Sequence, residues 1–226
     1  MDSIVVKAPL HGEYIAATSP GDKVPSHGTH EWGMTYAYDF IQVRKNKNDA
    51  LTWHNKSLSE YFLARVKLSD TFGWGKPIYS PIDGLVRDVF NSVKERNRLH
   101  ILSDVGYAIY NEIFFSYKRG QIHKLGGNYL IIEGKSCCAF IAHAKTGSIK
   151  PKVGDTVVAG ELIGEVGHSG NSSAPHLHMQ LMDRVDLKSA KGLPCCFERY
   201  EVLRNGVWEP IRNSIPTRSE IIRFSA

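Results

Sequence analysis

His176 and His178 stand two residues apart in Pro175-His176-Leu177-His178-Met179-Gln180-Leu181-Met182, a run whose composition reads as a β-strand. Side chains alternate between faces along a strand, so both imidazoles project from one side and can serve one metal-centred site. In a chain with 10 histidines such a pair alone is a weak sign. Its setting strengthens it: a glycine-containing loop, Gly167-His168-Ser169-Gly170-Asn171-Ser172, precedes it, and His143 and the His30/Asp39 segment can join it. A catalytic zinc site takes three N or O ligands and keeps a position open for water, and hydrolysis adds a general base or electrostatic partner. His30, Asp39, His143, His176 and His178 are five groups of the right kind, and the chemistry they suggest is metal-assisted hydrolysis.

Other histidines fit structural uses better. His11, His54, His100 and His123 are isolated in unlike contexts, and His168 suits a loop-stabilising hydrogen bond. Trp32, Tyr36, Trp53 and Trp74 suit core packing, with a stacking wall for sugar or peptide as the rival use.

The elements that must position these residues are short. Ile4-Val5-Val6 and the stretch from Glu13 to Ala16 read as strands around a Pro/Gly turn, and a histidine-rich loop, 25–33, enters a strand over 36–43 that carries Asp39. Residues 44–76 read as an insertion in which Ser57 and Glu60 form a capping box for a helix running to about Lys67, with Leu58, Phe62 and Val66 on its buried face. A second irregular insertion covers about 91–125, with a short helix between Arg96 and Lys124. From Gly126 onward, β-rich runs punctuated by glycine indicate an antiparallel sheet or sandwich. Asn205-Gly206 between Tyr200-Glu201-Val202-Leu203 and Val207-Trp208-Glu209 is the strongest hairpin signal. The fold class expected is mainly β with short helical insertions.

Composition narrows the function classes. With 42% hydrophobic and 23% charged residues the chain is globular rather than disordered or collagen-like. No apolar run approaches the ~18 to 20 residues of a membrane helix, and no secretion signal opens the chain. The net charge of +5 comes from scattered residues without a zinc-finger or RNA-binding signature, which argues against a nucleic-acid partner. The adjacent pairs Cys137-Cys138 and Cys195-Cys196 match neither metal-ligand nor disulfide-scaffold spacing and are expected to be buried free thiols.

Taken in order, Gly127-Asn128-Tyr129-Leu130-Ile131-Ile132, Ala142-His143, Val153-Gly154-Asp155-Thr156-Val157, Ile163-Gly164, Gly167-His168-Ser169-Gly170-Asn171-Ser172 and Pro175-His176-Leu177-His178 resemble the landmarks of the lysostaphin-like, LytM-type zinc metalloendopeptidases that cut cross-links in bacterial cell walls. The similarity spans roughly Pro9 to Met182. It implies a lysostaphin-type, barrel-sandwich-like peptidase domain over residues 1–226, with its core at 9–182 and a C-terminal hairpin extension at 195–226. It also implies Zn2+ as cofactor, a peptidoglycan peptide as substrate and partner, and an extracytoplasmic or cell-wall location, the cytoplasm staying open because no signal peptide is visible. Oligomeric state is not read from the sequence.

Residue by residue, the resemblance implies His178 and Asp39 as zinc ligands, with His143 and His176 as catalytic histidines beside the water or oxyanion. The chain departs from the usual form at the first ligand, since Thr35 occupies the place four residues before Asp39 where a histidine is usual. Thr29-His30 fits a looser form best and makes His30 the expected ligand, with His27 its competitor. Three other readings stay open: a family member with a disabled site acting as a cell-wall binding or activator module, a biotinyl-type carrier suggested by 152–163 but lacking a Met-Lys-Met turn, and a peptidase that hydrolyses a non-cell-wall peptide inside the cell.

Overall fold

The computed structural model describes residues 3–63, 66–99 and 122–225. The chain opens with β1 (Ile4–Val6), β2 (Gly12–Thr18) and β3 (Tyr38–Gln42), the last two joined by a loop ending in a 3-10 helix at Glu31–Tyr36. The first insertion contains β4 (Arg44–Lys45), β5 (Leu51–Thr52), α1 (Leu58–Phe62) and β6 (Val66–Lys67), before β7 (Pro77–Tyr79) and β8 (Gly84–Phe90). Then come β9 (Arg98–Leu99), α2 (Ile122–Gly126), β10 (Asn128–Glu133), β11 (Cys138–Ala144), β12 (Thr156–Val157), β13 (Leu162–Glu165) and β14 (Leu177–Met182). The C-terminal part adds β15 (Gly192–Leu193), β16 (Cys195–Arg204), β17 (Val207–Ser214) and β18 (Ile222–Phe224).

Most strands form one 12-stranded sheet in the order β1-β16-β18-β2-β3-β14-β11-β10-β8-β12, with β15 on β14 and β17 on β16. The mainly β architecture with short helices agrees with the sequence. The sheet is mixed rather than wholly antiparallel, because β1 runs parallel to β16. One side of it holds the main core, which draws Tyr14, Tyr38, Phe40, Ile132, Ile141, Met179, Leu181, Phe197 and Phe224 from strands distant in sequence. A smaller cluster on the other side contains Tyr129, Ile131, Phe140, Ala142, Met182 and Leu187. Central β10, β11 and β14 are therefore buried on both faces, which explains why they read as continuous apolar runs rather than alternating ones.

Ser57 and Glu60 do make the capping box. The helix ends at Phe62, however, well short of Lys67, and Val66 lies on a strand that pairs Val66 with Leu99 and Lys67 with Arg98. β-branched Val66 gains a cross-strand partner and complete burial there, which a further helical turn would not supply. The two insertions thus meet around Val66, Leu68 and Leu99, flanked by Trp53, Tyr61 and Trp74. The side chains of Leu58 and Phe62, and residues 100–121 of the second insertion, His100 among them, lie outside the described residues. The Asn205-Gly206 hairpin is present, with φ of 51° and 80° at its two turn residues and Arg204 opposite Val207. All four cysteines are free and buried.

Candidate metal centre and its histidines

Two adjacent strands place the central pair. In the antiparallel register of β3 and β14, Asp39 lies opposite His178, and Asp39 Oδ1 is 2.9 Å from His178 Nδ1. A third residue arrives from the loop before β3. Ser26 is fixed by its backbone N–H to Thr35 O (3.0 Å) and its hydroxyl to Ala37 O (2.8 Å), and this holds His27 Nε2 at 3.0 Å from Asp39 Oδ2. One ligand atom from each of His27, Asp39 and His178 falls within 4.8 Å of the others, a group suited to a metal ion.

His30, the expected first ligand, is not in this group. The chain turns at Pro25–Gly28, where Gly28 has φ of 76° and donates to Pro25 O, and His30 instead sets its Nδ1 at 3.2 Å from Thr35 Oγ1. His27, the competitor, takes its place, and the Thr35 hydroxyl is the partner of the displaced histidine.

The tautomers follow from groups that can act in one direction only. Gln180 donates its Nε2–H to the Trp32 carbonyl at 2.6 Å, so its Oε1 must accept, and the partner at 3.0 Å is His178 Nε2–H. His178 therefore turns a lone pair at Nδ1 toward Asp39. Similarly, the Ser26 hydroxyl proton goes to Ala37 O, so Ser26 Oγ accepts from His27 Nδ1–H (3.2 Å) and leaves the His27 Nε2 lone pair facing Asp39. Two imidazole lone pairs and a carboxylate thus converge, an arrangement that is repulsive by itself and that a cation satisfies. The donor set, two nitrogens and a carboxylate oxygen, matches a zinc site with room for another ligand.

Gln180 owes its anchor to a local irregularity. Trp32 and Gly33 have φ of 54° and 75°, a kink inside the 3-10 segment that turns the Trp32 carbonyl toward the strand. A Cβ at Gly33 would lie 2.6 Å from Met182 Cγ and 2.8 Å from Gln180 Nε2, so only glycine permits this close approach.

The two other histidines flank the group. On β11, Ala142 and His143 together oppose Tyr129, one residue, which is a β-bulge; His143 has φ of 61°. Such bulges re-aim a side chain beside an active site. His143 donates Nδ1–H to Ser169 O at 2.9 Å, so its Nε2 lone pair is free for chemistry. Its ring lies 4.6 Å from that of His176 and 5.9 Å from that of His178. His176 bonds the Ala174 carbonyl at 2.7 Å through Nδ1 and brings Nε2 to 3.5 Å from Asp39 Oδ1.

Electrostatics separate the two rings. Burial foremost, and then the neighbouring imidazoles of His176 and His178, hold His143 well below the ordinary histidine range. Burial also pulls His176 down, but the charge and hydrogen bond of Asp39 outweigh it and raise its pKa. Asp39 stays ionised well below the usual carboxyl range, because the surrounding histidines, His176 foremost, overcome the penalty of burial. One histidine is thus kept neutral while its neighbour is ready to take a proton.

All of these residues border a cleft of about 500 Å3 whose walls include Trp32, Met34, Ile122, Leu125, Phe140 and Leu187. Trp32 is the one aromatic of the expected stacking wall on this cleft; Trp53 packs in the insertion cluster and Trp74 bonds Glu95. His11 and His123 stack on Tyr79 and Phe90, and buried His54 packs against Trp53, as expected of structural histidines. Gln180 and Ser26 are not among the residues that spacing and resemblance point to. Gln180 continues the i, i+2 row of His176 and His178 and carries that signal, whereas the role of Ser26 depends on a backbone path invisible to spacing.

A mainly β fold with two histidines and an aspartate converging in a cleft, and two further histidines beside them, has the make-up of a metallohydrolase. The family model described as Peptidase family M23 matches residues 71–189, and the chain belongs to that family. Among solved structures, it is similar to the catalytic domain of the prophage-encoded M23 protein EnpA from Enterococcus faecalis, at 22% identity over 54% of this chain and 69% of that one, with a TM-score of 0.36. It is similar also to the catalytic domain of the antimicrobial peptidase lysostaphin from Staphylococcus simulans, at 17% identity over 80% and 88% of the two chains, with a TM-score of 0.38. Against a longer lysostaphin chain the identity is 19% and the TM-score 0.37, and the match spans 73% of this chain but 45% of the other. No curated protein matches. Among the described residues, no helix is long and apolar enough to cross a membrane.

Proposed function

We propose that this protein is a zinc-dependent endopeptidase acting on the peptide cross-links of bacterial peptidoglycan, outside the cytoplasm. Membership of Peptidase family M23 supports the reaction class. The observation that carries the metal assignment is the convergence of the His27 Nε2 and His178 Nδ1 lone pairs on the Asp39 carboxylate, with the imidazole protons committed to Ser26 and Gln180. Zinc bound by His27, Asp39 and His178 would polarise the scissile amide and lower the pKa of water toward ~7.

The remaining work falls to the chain's own residues. His176, whose Nε2 faces the centre and whose Nδ1 proton is held by the Ala174 carbonyl, receives a proton at Nε2 and passes it to the departing amine. His143, fixed by Ser169 O, turns its Nε2 into the same space and orients water or the developing tetrahedral oxyanion. The apolar walls contributed by Trp32, Phe140, Leu125 and Leu187 restrict bulk water around these charges and strengthen their interactions.

The test is hydrolysis of defined cross-linked peptides by wild-type protein, His143→Ala and His176→Ala, with zinc content measured on each. The expectation is cleavage by the wild type and a loss of ~100-fold or more in each variant with zinc retained. Full hydrolysis by either variant would remove that histidine from the mechanism, and a zinc-loaded wild type that cleaves none of the peptides would leave the protein a binding module.

A further inference from the structure

The second insertion sends two residues back toward the centre. Glu95 Oε1 accepts from the His168 backbone N–H at 2.7 Å and from Trp74 Nε1–H at 3.0 Å, which ties the insertion to the loop before β14. Beside it, Arg96 Nη2 lies 2.8 Å from the Ser172 carbonyl and 3.1 Å from His168 Nε2. From His168 the contacts continue inward. His168 Nδ1 is 3.0 Å from Ser172 Oγ, which is 2.7 Å from Ala174 O and 3.1 Å from His176 Nδ1. His168 and Ser172 are each 1% exposed, and His176 is 8% exposed.

The direction of every proton in this chain of contacts is fixed by its two ends. A guanidinium only donates, so His168 Nε2 accepts from Arg96 and the single proton of the neutral ring sits on Nδ1, pointing at Ser172 Oγ. Burial and the charge of Arg96 keep that ring neutral, holding its pKa down to about 3. A backbone carbonyl only accepts, so the Ser172 hydroxyl proton goes to Ala174 O. Ser172 Oγ, already accepting from His168, has no proton left to offer His176. Both atoms near His176 Nδ1, Ser172 Oγ and Ala174 O, therefore act as acceptors toward it, and its proton stays on Nδ1. The Nε2 lone pair is left facing the centre.

We infer that Arg96 is a positioning residue: acting through His168 and Ser172, it keeps Ser172 Oγ as a second acceptor for His176 Nδ1–H beside the Ala174 carbonyl, and so holds the ring in the orientation that presents Nε2 to the cleft. This rests on the proposed role of His176 for its catalytic meaning, although the tautomers themselves do not depend on it. The insertion that carries Arg96 is then a functional part of the site. An amide at position 168 reproduces the pattern, one acceptor for Arg96 and one donor for Ser172, whereas an aliphatic side chain reproduces neither.

Long-range 1H–15N NMR of the histidine rings in zinc-loaded protein tests the arrangement without any substrate. At a pH high enough to leave His176 neutral, both His168 and His176 in the wild type should be protonated at Nδ1 and bare at Nε2, and Arg96→Met should convert His168 to a mixture of tautomers. A wild-type His168 protonated at Nε2 overturns the inference, and no variant needs to fold for that result. With a cleavable peptide, Arg96→Met and His168→Leu should lower kcat ~10- to 100-fold with KM and zinc content unchanged, while His168→Gln stays within about threefold of the wild type. An unchanged kcat in Arg96→Met, or equal losses in His168→Gln and His168→Leu, would also overturn it. Should no peptide be cleaved, the ring assignments alone still decide the inference, and the peptidase reading fails separately.

Discussion

The nitrogens that His27 and His178 turn toward Asp39 are chosen by residues outside the proposed ligand set. Gln180 and Ser26 each take the proton of an imidazole and thereby decide which nitrogen carries a lone pair. Replacing either should weaken the site without unfolding it. Gln180→Leu and Ser26→Ala are expected to raise the zinc dissociation constant ~10- to 100-fold in competition with a chelating dye; affinities equal to the wild type would mean the tautomers are chosen by some other contact. At this scale much was legible in the sequence. Spacing and resemblance point to His143, His176, His178 and Asp39, and the fold brings the four together. The Thr29-His30 dipeptide nine residues before the aspartate favours His30 over His27 in the sequence, whereas the structure depends on a turn at Pro25–Gly28 that carries His30 away. Arg96 lies 72 residues from its partner His168 and could not be found by pattern.

Among the elements, the bulge at His143 and the loop that receives it are locked by glycines. Gly127, at the start of β10, has φ of 64°, and a Cβ there would lie 2.4 Å from Ser169 C and Oγ. Ser169 O is the acceptor that orients His143. Gly127→Ala should thus cost several kcal/mol in urea unfolding, from strained backbone and collision together, and should reduce activity by displacing His143. Gly147→Ala provides the comparison, because Gly147 has nearly the same backbone (φ of 75°) and nothing within 4 Å of an added Cβ. It should lose only ~1–2 kcal/mol and keep its activity. Equal losses in the two variants would show that backbone conformation, and not the contact with Ser169, governs the loop. Strand positions were read from the sequence to within a few residues where β-formers dominate, and the Asn205-Gly206 turn was read outright. The helix expected to reach Lys67 failed because Val66 answers to Leu99, a partner in the other insertion.

Across the whole molecule, the C-terminal strands are built into the main sheet, and β16 and β18 deliver Phe197, Tyr200 and Phe224 to the main core. Phe197 is fully buried and meets Tyr38, Phe40 and Phe224 at ring-centroid distances of 5.3–5.6 Å. Phe197→Ala is expected to cost about 3–5 kcal/mol of global stability; a loss under ~1 kcal/mol would mean that the extension folds apart from the core. Buried His168 adds a pH dependence. Its folded pKa of about 3 lies below the ordinary 6.5, so the unfolded chain takes up a proton that the folded one refuses as pH falls. Stability from this group is complete above pH 6.5 and declines toward pH 3, by on the order of 1–2 kcal/mol between pH 6.5 and 5. Urea titrations at the two pH values should show a smaller decline in His168→Gln, and an identical decline would mean that His168 is protonated in the folded protein.

Whether His27, Asp39 and His178 hold one zinc ion is decided by metal content, measured by plasma mass spectrometry on reconstituted, dialysed protein. About one zinc per chain is expected in the wild type and in His30→Ala, and almost none in His27→Ala or His178→Ala. Zinc retained by His27→Ala but lost from His30→Ala would contradict the ligand set, and a wild type that binds no zinc would contradict the metal centre itself.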